Sequence, residues 1–405
     1  MPRPNKLQSG RADVRLAVVS PFVDRRHGTE RALAELLERL ARDHHCEVHL
    51  YAQRVADLTL SPPQRLPGNG SIVWHRVPAI SGPQLVQFLS WCFLNSISRA
   101  WDRFVRGSRF DAVLSPGINC LDADVILVHV VFHRLDELRK ESAPGGLRGI
   151  HRRLYYRMMC AFERWVYVNP RVRLAGVSRH TASQLLRYFA RDDAAVTPHG
   201  VDSNTFCPMA CTRRRAGARH RWRFIESEIV LLLIGNDWRN KGLTALLEAA
   251  ALCGDLPLRL LVVGDEDVAP FAGLESRLGL SHRVTFAPPC RDVLDFFAAA
   301  DVYVAPSLED SFNLPVLEAM ACGLPVIVSA CAGISDWIHD GLDGILLRDP
   351  KDAAELAANL RNLLRNPDAM RRLGEAAVRT ASDFTWERHA AVVHALLVTQ
   401  CAQRR

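Results

Sequence analysis

Short apolar runs alternate with segments of helical periodicity along most of the first half of the chain. Apolar residues recur at a spacing near 3.6 in the segments between the runs, as at 29–42, which predicts crossover helices. Short buried strands joined by helices are typical of a parallel sheet that is covered on both faces. The predicted strands are 14–20, 47–52, 112–115, 125–128 and 173–177.

The pattern restarts after a polar segment, 211–223, and predicts a second α/β domain. From 352 onward it is helical only, and the amphipathic end of the chain is expected to cross back to the first domain. We therefore predict an N-terminal domain at 1–208, a second domain at 209–383 and a returning helix at 384–405. The strands expected in the second domain are 229–234, 258–263, 284–286, 302–305 and 326–329.

The predicted fold class is α/β, with two doubly wound, Rossmann-like domains that face a cleft. Ligands of open parallel sheets bind beyond the carboxyl ends of the strands, so the functional site is expected there. The sequence contains neither the dinucleotide fingerprint GxGxxG nor the phosphate loop GxxxxGK[ST]. A dehydrogenase and a P-loop NTPase are therefore disfavoured, and a different phosphate site is needed.

One candidate phosphate site is the loop 235–242, GNDWRNKG, which follows the strand 229–234 and opens a helix. Gly235 permits the close approach of a ligand, the first helix amides attract anions, and Lys241 supplies a positive charge. The alternative is an ordinary turn between a strand and a helix, with a solvated lysine.

A second candidate is 306–325, where Asp310 precedes a helix start and Glu318 lies about one turn inside the helix. Pro315 suits the first helical turn, so the amides at the helix start are expected to face a ligand. These amides belong to Phe312, Asn313 and Leu314. The alternative is that both acids only stabilise the N-terminus of the helix.

Composition limits the class of protein. The 405 residues are 48% hydrophobic and 23% charged, which excludes the disordered and fibrous classes. Polar residues interrupt the most apolar stretch, 83–104, and no signal-peptide core is visible near the N-terminus, so a cytoplasmic protein is expected. The eleven cysteines include no CxxC pair and no regular spacing. We expect reduced thiols and no bound metal.

The two halves of the chain differ in charge. Up to residue 208 there are 29 Lys or Arg and 19 Asp or Glu, a net +10, whereas the remainder carries −3. A basic first domain suggests an anionic partner, either a phosphorylated acceptor or an anionic membrane surface, and a bias toward arginine is the alternative. Nucleic acid is not expected as a partner, because no recognised nucleic-acid module accompanies the charge.

The segment 306–326 resembles the P-S-x-x-E-x-F-G-x-x-x-x-E-A-M-A-x-G-x-P-V signature of the retaining GT-B glycosyltransferases of family 4. The resemblance extends to 235–242, to 199–202 (HGVD), to 176–178 (GVS) and to 27–31 (HGTER), and so covers nearly the whole chain in order. It implies an enzyme that takes a sugar from a nucleotide diphosphate donor, uses no cofactor and typically needs no metal.

The same resemblance implies roles for individual residues. Glu318 would hold the nucleotide ribose, Asp310 would contact hydroxyls of the donor sugar, and Lys241 would clamp the diphosphate. Gly28 would approach the donor phosphate and the acceptor, and His129 would lie beside the donor sugar.

Four positions depart from the family pattern. Asp310 replaces the usual first glutamate of the signature, and Asn313 replaces a frequent glycine. Asn236 stands where many members have an arginine, so Arg239 is expected to supply that charge. His27 replaces the first glycine of a pair. Loss of activity does not follow, because aspartate and asparagine can still form the required hydrogen bonds.

Three further features have alternatives. His133 is close enough in sequence to take the role assigned to His129. The acidic segment 265–267 looks like the metal-binding DxD of the GT-A architecture, but acidic loops are common at strand ends and two domains favour GT-B. The aromatic segment 84–104 is expected to belong to the core, and an interfacial helix near a lipid-linked acceptor is the alternative.

We therefore predict a metal-independent, retaining hexosyltransferase that moves a sugar from a nucleotide sugar to a hydroxyl of a glycan or lipid-linked saccharide. The expected process is the synthesis of cell-surface polysaccharide or glycolipid, in the cytoplasm or at the inner face of the membrane. The alternatives are a sugar-nucleotide epimerase or hydrolase of the same fold, and a non-catalytic protein that binds nucleotide sugars.

Overall fold

A computed structural model describes residues 14–25, 28–60, 70–140, 146–290 and 292–404 of the chain. His27, one of the four departures from the family pattern, lies outside these ranges. The chain divides into two compact units. One unit extends to Pro198 and also contains the segment from Trp386 onward, and the other is His199–Thr385.

The first unit is built on a seven-stranded sheet in which every neighbouring pair of strands is parallel. Its strands are β1 (Arg15–Val19), β3 (Glu47–Ala52), β5 (Ser71–Arg76), β6 (Ala112–Pro116), β7 (Val125–Val128), β8 (Arg173–Gly176) and β9 (Ala195–Val196). They lie in the order β5-β3-β1-β6-β7-β8-β9. A separate two-stranded sheet pairs β2 (Phe22–Val23) with β4 (Arg54–Val55).

Helices connect these strands. They are α1 (Gly28–Arg42), α2 (Gln84–Phe104), α3 (Phe132–Lys140), α4 (Gly146–Tyr167) and α5 (Arg179–Phe189). One face of α2 is buried, through Trp91, Asn95, Arg99 and Asp102. The expectation that the segment 84–104 belongs to the core is therefore right for one face of the helix and wrong for the other, which is exposed.

The second unit contains a six-stranded parallel sheet in the order β12-β11-β10-β13-β14-β15. Its strands are β10 (Ile229–Ile234), β11 (Leu258–Val263), β12 (Val284–Ala287), β13 (Val302–Ala305), β14 (Val326–Ser329) and β15 (Ile345–Leu347). Its helices are α6 (Pro208–Trp222), α7 (Leu243–Leu252), α8 (Ala269–Arg277), α9 (Leu294–Ala299), α10 (Leu314–Ala321), α11 (Ala353–Leu364) and α12 (Pro367–Ala381), with a short 3-10 helix at Gly333–Trp337. The predicted α/β class with two doubly wound domains is confirmed.

The polar segment 211–223, which the sequence suggested as a bridge between domains, is instead the helix α6 of the second unit. Its Arg219 is buried and donates hydrogen bonds to the carbonyls of Ile225 and Glu228 at 2.6 and 2.7 Å. Arg215 and Arg219 also pair with Asp301 at 2.6 and 3.2 Å. The division after Pro198 lies ten residues before the predicted boundary at 208. The reason is that 199–207 packs on the second unit, where the rings of His199 and Phe206 contact those of Phe312 and Phe297.

The last helix, α13 (Trp386–Arg404), packs on the first unit. It contributes Ala390, Val393, Leu397 and Cys401 to the core beside α1. Nδ1 of His389 lies 2.9 Å from the carbonyl oxygen of Pro198, and Gln400 donates to the carbonyl of Arg171 at 2.8 Å. Apolar burial and these hydrogen bonds hold the returning segment in place.

No helix within the described ranges is long and apolar enough to cross a membrane. All eleven cysteines are present as free thiols.

The buried His389 predicts an acid-sensitive first unit. Burial lowers the pKa of His389 to about 4, whereas an unfolded histidine titrates near 6.5. The unfolded chain therefore binds the proton more readily, so this contribution to stability is present above pH 6.5 and is lost as pH falls toward 4. We expect the stability of the unit to fall by on the order of 2 kcal/mol between pH 7 and pH 5 through this residue.

The measurement is denaturant unfolding at both pH values. His389→Gln should give a shallower pH dependence than the parent, whereas the matched control His282→Gln, at an exposed histidine, should not. An unchanged slope in His389→Gln would contradict the assignment.

Candidate functional site

The loop 235–242 joins the end of β10 to α7, and two glycines make its conformation accessible. Gly242 has a φ of +77°, and a Cβ there would lie 1.9 Å from the carbonyl oxygen of Pro306. Gly235 has a φ of +147°, and a Cβ there would lie 2.8 Å from Cε of Lys241. Only glycine accepts this backbone and this close approach, so the Lys241 side chain can fold over the end of β10.

Lys241 forms an ion pair with Asp310, which lies 69 residues further along the chain. The two side chains are only 19% and 12% exposed. A buried charge is costly unless it is paired, so the pairing offsets part of the cost of removing both groups from water. The structure thus brings together the two predicted charges, one from each candidate loop.

Backbone and amide hydrogen bonds connect the same two loops. Nδ2 of Asn240 donates to the carbonyl of Glu309 at 2.8 Å, and the amide of Leu308 donates to the carbonyl of Asn240 at 2.7 Å. The sequence argument did not single out Asn240. It could have been identified from its position next to the candidate lysine, because an asparagine side chain can both donate and accept hydrogen bonds.

Asp310 is held from the other side by the segment after β14. Its amide donates to the carbonyl of Cys331 at 3.2 Å, and its carbonyl accepts from the amide of Gly333 at 2.8 Å. Oδ1 of Asp310 also accepts from the amide of Phe312 at 3.3 Å. The expectation that this amide faces a ligand is therefore corrected: in this structure it is used to orient the Asp310 carboxylate.

The start of α10 provides the remaining polar groups. Asn313 has a φ of +71° and caps the helix, and its Nδ2 lies 3.3 Å from Oγ of Ser307. Oδ1 of Asn313 is buried and accepts no hydrogen bond from the described residues. Pro315 has no N–H, and the amide of Val316 donates to the carbonyl of Asn313 at 3.0 Å, so Leu314 supplies the first helix amide, at the positive end of the helix dipole. This helix end is therefore suited to an anion or a hydroxyl.

Phe312, just before α10, and Glu318, inside it, are both buried. The Phe312 ring is buried and packs edge-on against His199, with the ring centres 5.0 Å apart, so the side chain is structural. Glu318 is buried in the second turn of α10. Burial raises the pKa of Tyr303, and the charges of Asp310 and Glu318 raise it further. The charges of both signature acids, Asp310 and Glu318, therefore affect the same buried tyrosine.

Asn236 and Arg239, the other residues predicted in the loop, are exposed. Oδ1 of Asn236 accepts from the amide of Asp265 at 2.9 Å, and Glu266 accepts from the amide of Asp237 at 3.0 Å. The acidic segment 265–267 thus supports the loop through hydrogen bonds. Asn236 is oriented by this contact, and Arg239 is the exposed charge beside it.

The first unit contains a cavity of about 370 Å³. His129 lines it, together with Asn119, Trp91 and two of the first residues of α1, Thr29 and Glu30. Gly28 precedes these residues, and a Cβ there would meet no atom within 4 Å. The two residues predicted in the first domain, Gly28 and His129, therefore belong to one region, which is open to a ligand at Gly28.

The histidine on this cavity is uncharged at neutral pH. Burial, and secondarily the neighbouring His389, lowers the pKa of His129 to about 3. A neutral imidazole can donate one hydrogen bond and accept another, as recognition of a hydroxyl requires. His129 is therefore suited to binding a polar ligand rather than to supplying a positive charge.

His133, the alternative to His129, is used elsewhere. Its Nδ1 lies 2.8 Å from Oε2 of Glu163. At the start of α3, Oε1 of Glu163 also accepts from the amide of Phe132, and Oε2 from the amide of His133. His133, Cys160 and Glu163 are close enough for metal ligation. Because the carboxylate of Glu163 is already shared among three donors, we assign this cluster to the capping of α3.

Two α/β units, each built on a parallel sheet, have the architecture of the GT-B fold. Two family models match the chain: Glycosyltransferase Family 4 over residues 26–205 and Glycosyl transferases group 1 over residues 228–366. The chain belongs to the family 4 glycosyltransferases, as the resemblance implied.

Solved structures share the fold over nearly the whole chain. WaaG, a glycosyltransferase involved in lipopolysaccharide biosynthesis, is 22% identical with a TM-score of 0.75, over 93% of this chain and 98% of that one. Sucrose-phosphate synthase from Thermosynechococcus elongatus is 21% identical with a TM-score of 0.76, over 96% and 100%. HepE from Anabaena, solved in complex with UDP-glucose, is 16% identical with a TM-score of 0.71, over 95% and 100%. At these identities the likeness shows the fold alone.

Curated relatives include two proteins named D-inositol 3-phosphate glycosyltransferase. The one from Geodermatophilus obscurus is 35% identical over 232 residues, which are 53% of this chain and 50% of that protein. The one from Thermobifida fusca is 31% identical over 233 residues, 53% of this chain and 52% of that protein. The chain spans about half the length of the curated relatives it matches.

The position of Lys241 predicts a selective loss of phosphate binding. Lys241→Ala should weaken the binding of a nucleoside diphosphate by about tenfold or more, since a hydrogen bond to a charged group contributes roughly 1.5–3 kcal/mol. Binding of the parent nucleoside should change much less. The matched control is Lys351→Ala, at an exposed lysine of the same unit. Calorimetry that finds equal losses for nucleoside and diphosphate would refute this role of Lys241.

Proposed function

We propose that this glycosyltransferase moves a hexose, with retention of configuration, from a nucleotide diphosphate sugar to a hydroxyl of a glycan or lipid-linked saccharide. The second unit holds the donor, and the cavity of the first unit holds the acceptor. The process is the synthesis of cell-surface polysaccharide or glycolipid, in the cytoplasm at the inner face of the membrane.

The pairing of Lys241 with Asp310 beside the start of α10 is the observation that carries this proposal. Departure of a nucleoside diphosphate builds negative charge on the leaving phosphate. A fixed ammonium group and the positive end of a helix stabilise that charge without reorganisation. Asp310 is then placed to accept hydrogen bonds from the sugar, and Glu318 from the ribose, as the family resemblance implies.

For retention, the acceptor hydroxyl attacks on the face from which the phosphate leaves. The leaving phosphate itself takes the acceptor proton in this proposal. Neutral His129 contributes a hydrogen bond to a sugar hydroxyl, in keeping with its lowered pKa of about 3.

The cavity of the first unit favours an uncharged, hydroxyl-rich acceptor. Its lining includes three residues with side-chain amides, Gln53, Gln84 and Asn119, and the aromatic residue Trp91. Amides hydrogen-bond to hydroxyls, and aromatic rings pack against the apolar faces of ligands. The described lining contains one carboxylate, Glu30, and no lysine or arginine. This favours a saccharide hydroxyl over a phosphorylated polyol such as the inositol 3-phosphate named for the curated relatives.

The decisive experiment offers the protein a panel of UDP-, GDP- and dTDP-sugars and measures thermal stabilisation, since a bound donor stabilises the fold by mass action. The donor that stabilises most is then incubated with saccharide and lipid-linked acceptors. Sugar found on an acceptor supports the proposal. Free sugar or an isomerised nucleotide sugar would instead identify a hydrolase or an epimerase, and binding without turnover a non-catalytic binder.

Metal independence is a further expectation. Because Lys241 and the positive end of α10 meet the diphosphate charge in this proposal, transfer should continue at an undiminished rate in EDTA. The control is the same assay with added Mg²⁺ or Mn²⁺, which should not raise the rate more than about twofold. Strict dependence on either ion would contradict this expectation and favour metal binding by the acidic segment 265–267.

A further inference from the structure

The helix α2 presents an exposed apolar stripe. The stripe residues recur every three or four positions, which places them on one face of the helix. They are Val86, Leu89, Phe93, Ile97, Trp101 and Phe104, each between 45% and 81% exposed. The opposite face is packed on the first unit. The helix is therefore amphipathic, and its outer face is apolar where a solvated helix would be polar.

The neighbouring helix α4 also exposes large apolar side chains. Phe88 of α2 and Phe162 of α4 lie 5.7 Å apart between ring centres, so the two helices are in contact. Ile150, Leu154 and Trp165 of α4 are 63%, 55% and 62% exposed. Two adjacent helices of one unit thus expose large apolar side chains, including two tryptophans.

Positive charge surrounds these stripes. The exposed charged residues of α2, of the turn after it and of α4 from Ile150 onward are all arginines: Arg103, Arg106, Arg109, Arg152, Arg153, Arg157 and Arg164. The acids of the same segments, Asp102 and Glu163, are buried. A second copy of this chain would bring arginine against arginine, whereas an anionic bilayer matches both the charge and the apolar stripes.

A cavity of about 550 Å³ lies at the carboxyl end of α2. Arg99, Arg103 and Arg109 line it, together with Asp122 and the hydroxyls of Ser96 and Ser108. Arg99 is buried and donates to both oxygens of Asp122 at 2.6 and 2.7 Å, so these two charges satisfy each other. Arg103 and Arg109 remain exposed, and the cavity keeps two positive charges.

We propose that α2 docks on an anionic bilayer and that this cavity binds the phosphate of a lipid headgroup through Arg103 and Arg109. The planar guanidinium group forms paired hydrogen bonds with phosphate oxygens. Phe104, 81% exposed, lies on the wall of the cavity and belongs to the apolar stripe. Insertion of the stripe into the interface therefore brings headgroup phosphates to the two arginines. The inference rests on the proposed membrane location of the acceptor and names the surface of the protein that contacts the membrane.

The test is flotation of the full chain with vesicles of phosphatidylcholine alone or with added phosphatidylglycerol. The parent should float only with the anionic vesicles, and less as salt is raised, because exposed charges are screened. Arg103→Glu with Arg109→Glu should lower the partition coefficient roughly 30-fold or more, at about tenfold per 1.4 kcal/mol and about 1 kcal/mol per basic residue.

Arg213→Glu with Arg277→Glu is the matched control. It makes the same change of net charge at two exposed arginines of the second unit and should float like the parent. Phe93→Ser with Phe104→Ser keeps the charge and should also lower binding, because it removes part of the inserted stripe. Circular dichroism verifies that each variant is folded. All six substituted positions are exposed, so the core is left intact.

The source of the phosphate is distinguished by inorganic phosphate and by glycerol 3-phosphate. If either stabilises the parent saturably, but not Arg103→Glu with Arg109→Glu, while anionic vesicles are not bound, the cavity takes a soluble phosphate and bilayer docking is wrong. Equal flotation of the parent and the double variant would also overturn the proposal.

Flotation requires neither donor nor turnover, so its result is separate from that of the transfer assay. A parent that floats but transfers no sugar would contradict the proposed function and leave the docking intact. A parent that transfers sugar but never floats would contradict the docking alone.

Discussion

The ion pair between Lys241 and Asp310 is the interaction on which the candidate site of the second unit depends. Two mostly buried charges tolerate removal from water only when they are paired. Their pairing requires that two loops meet at the edge of one sheet. Gly242 allows the first loop to approach Pro306, and Gly235 leaves room for the lysine side chain. The positions of Asp310, of the amide of Phe312 and of the start of α10 follow from that arrangement.

Many of the strands could be predicted, because strands buried in a parallel sheet appear in the sequence as short apolar runs. The bounds predicted for β7, β10, β11, β13 and β14 agree with the structure. Of the four edge strands of the two large sheets, β12 was predicted at 284–286, whereas β5, β9 and β15 were missed. They are short or only partly buried, so the apolar signal that identifies a central strand is weak in them.

Other features could not be read from local pattern. The helix α6 resembles a linker because it is rich in arginine, and only the distant Asp301 and the carbonyls near Ile225 explain the burial of Arg219. Proximity of the two candidate loops could be predicted, since the carboxyl ends of parallel strands share one edge. The bond from the Phe312 amide to Asp310, and the contact that assigns His133 to Glu163, depend on side-chain positions that spacing does not determine.

The central claim is our proposal that Lys241, which pairs with Asp310 in this structure, binds the diphosphate of the donor. Calorimetry of a nucleoside diphosphate with the Asp310→Asn variant tests it most directly. The account predicts tighter binding than in the parent, because the variant removes a negative charge beside the diphosphate and releases the lysine from its partner. Weaker or unchanged binding would contradict the account, since it would mean that the ion pair serves the fold and not the ligand.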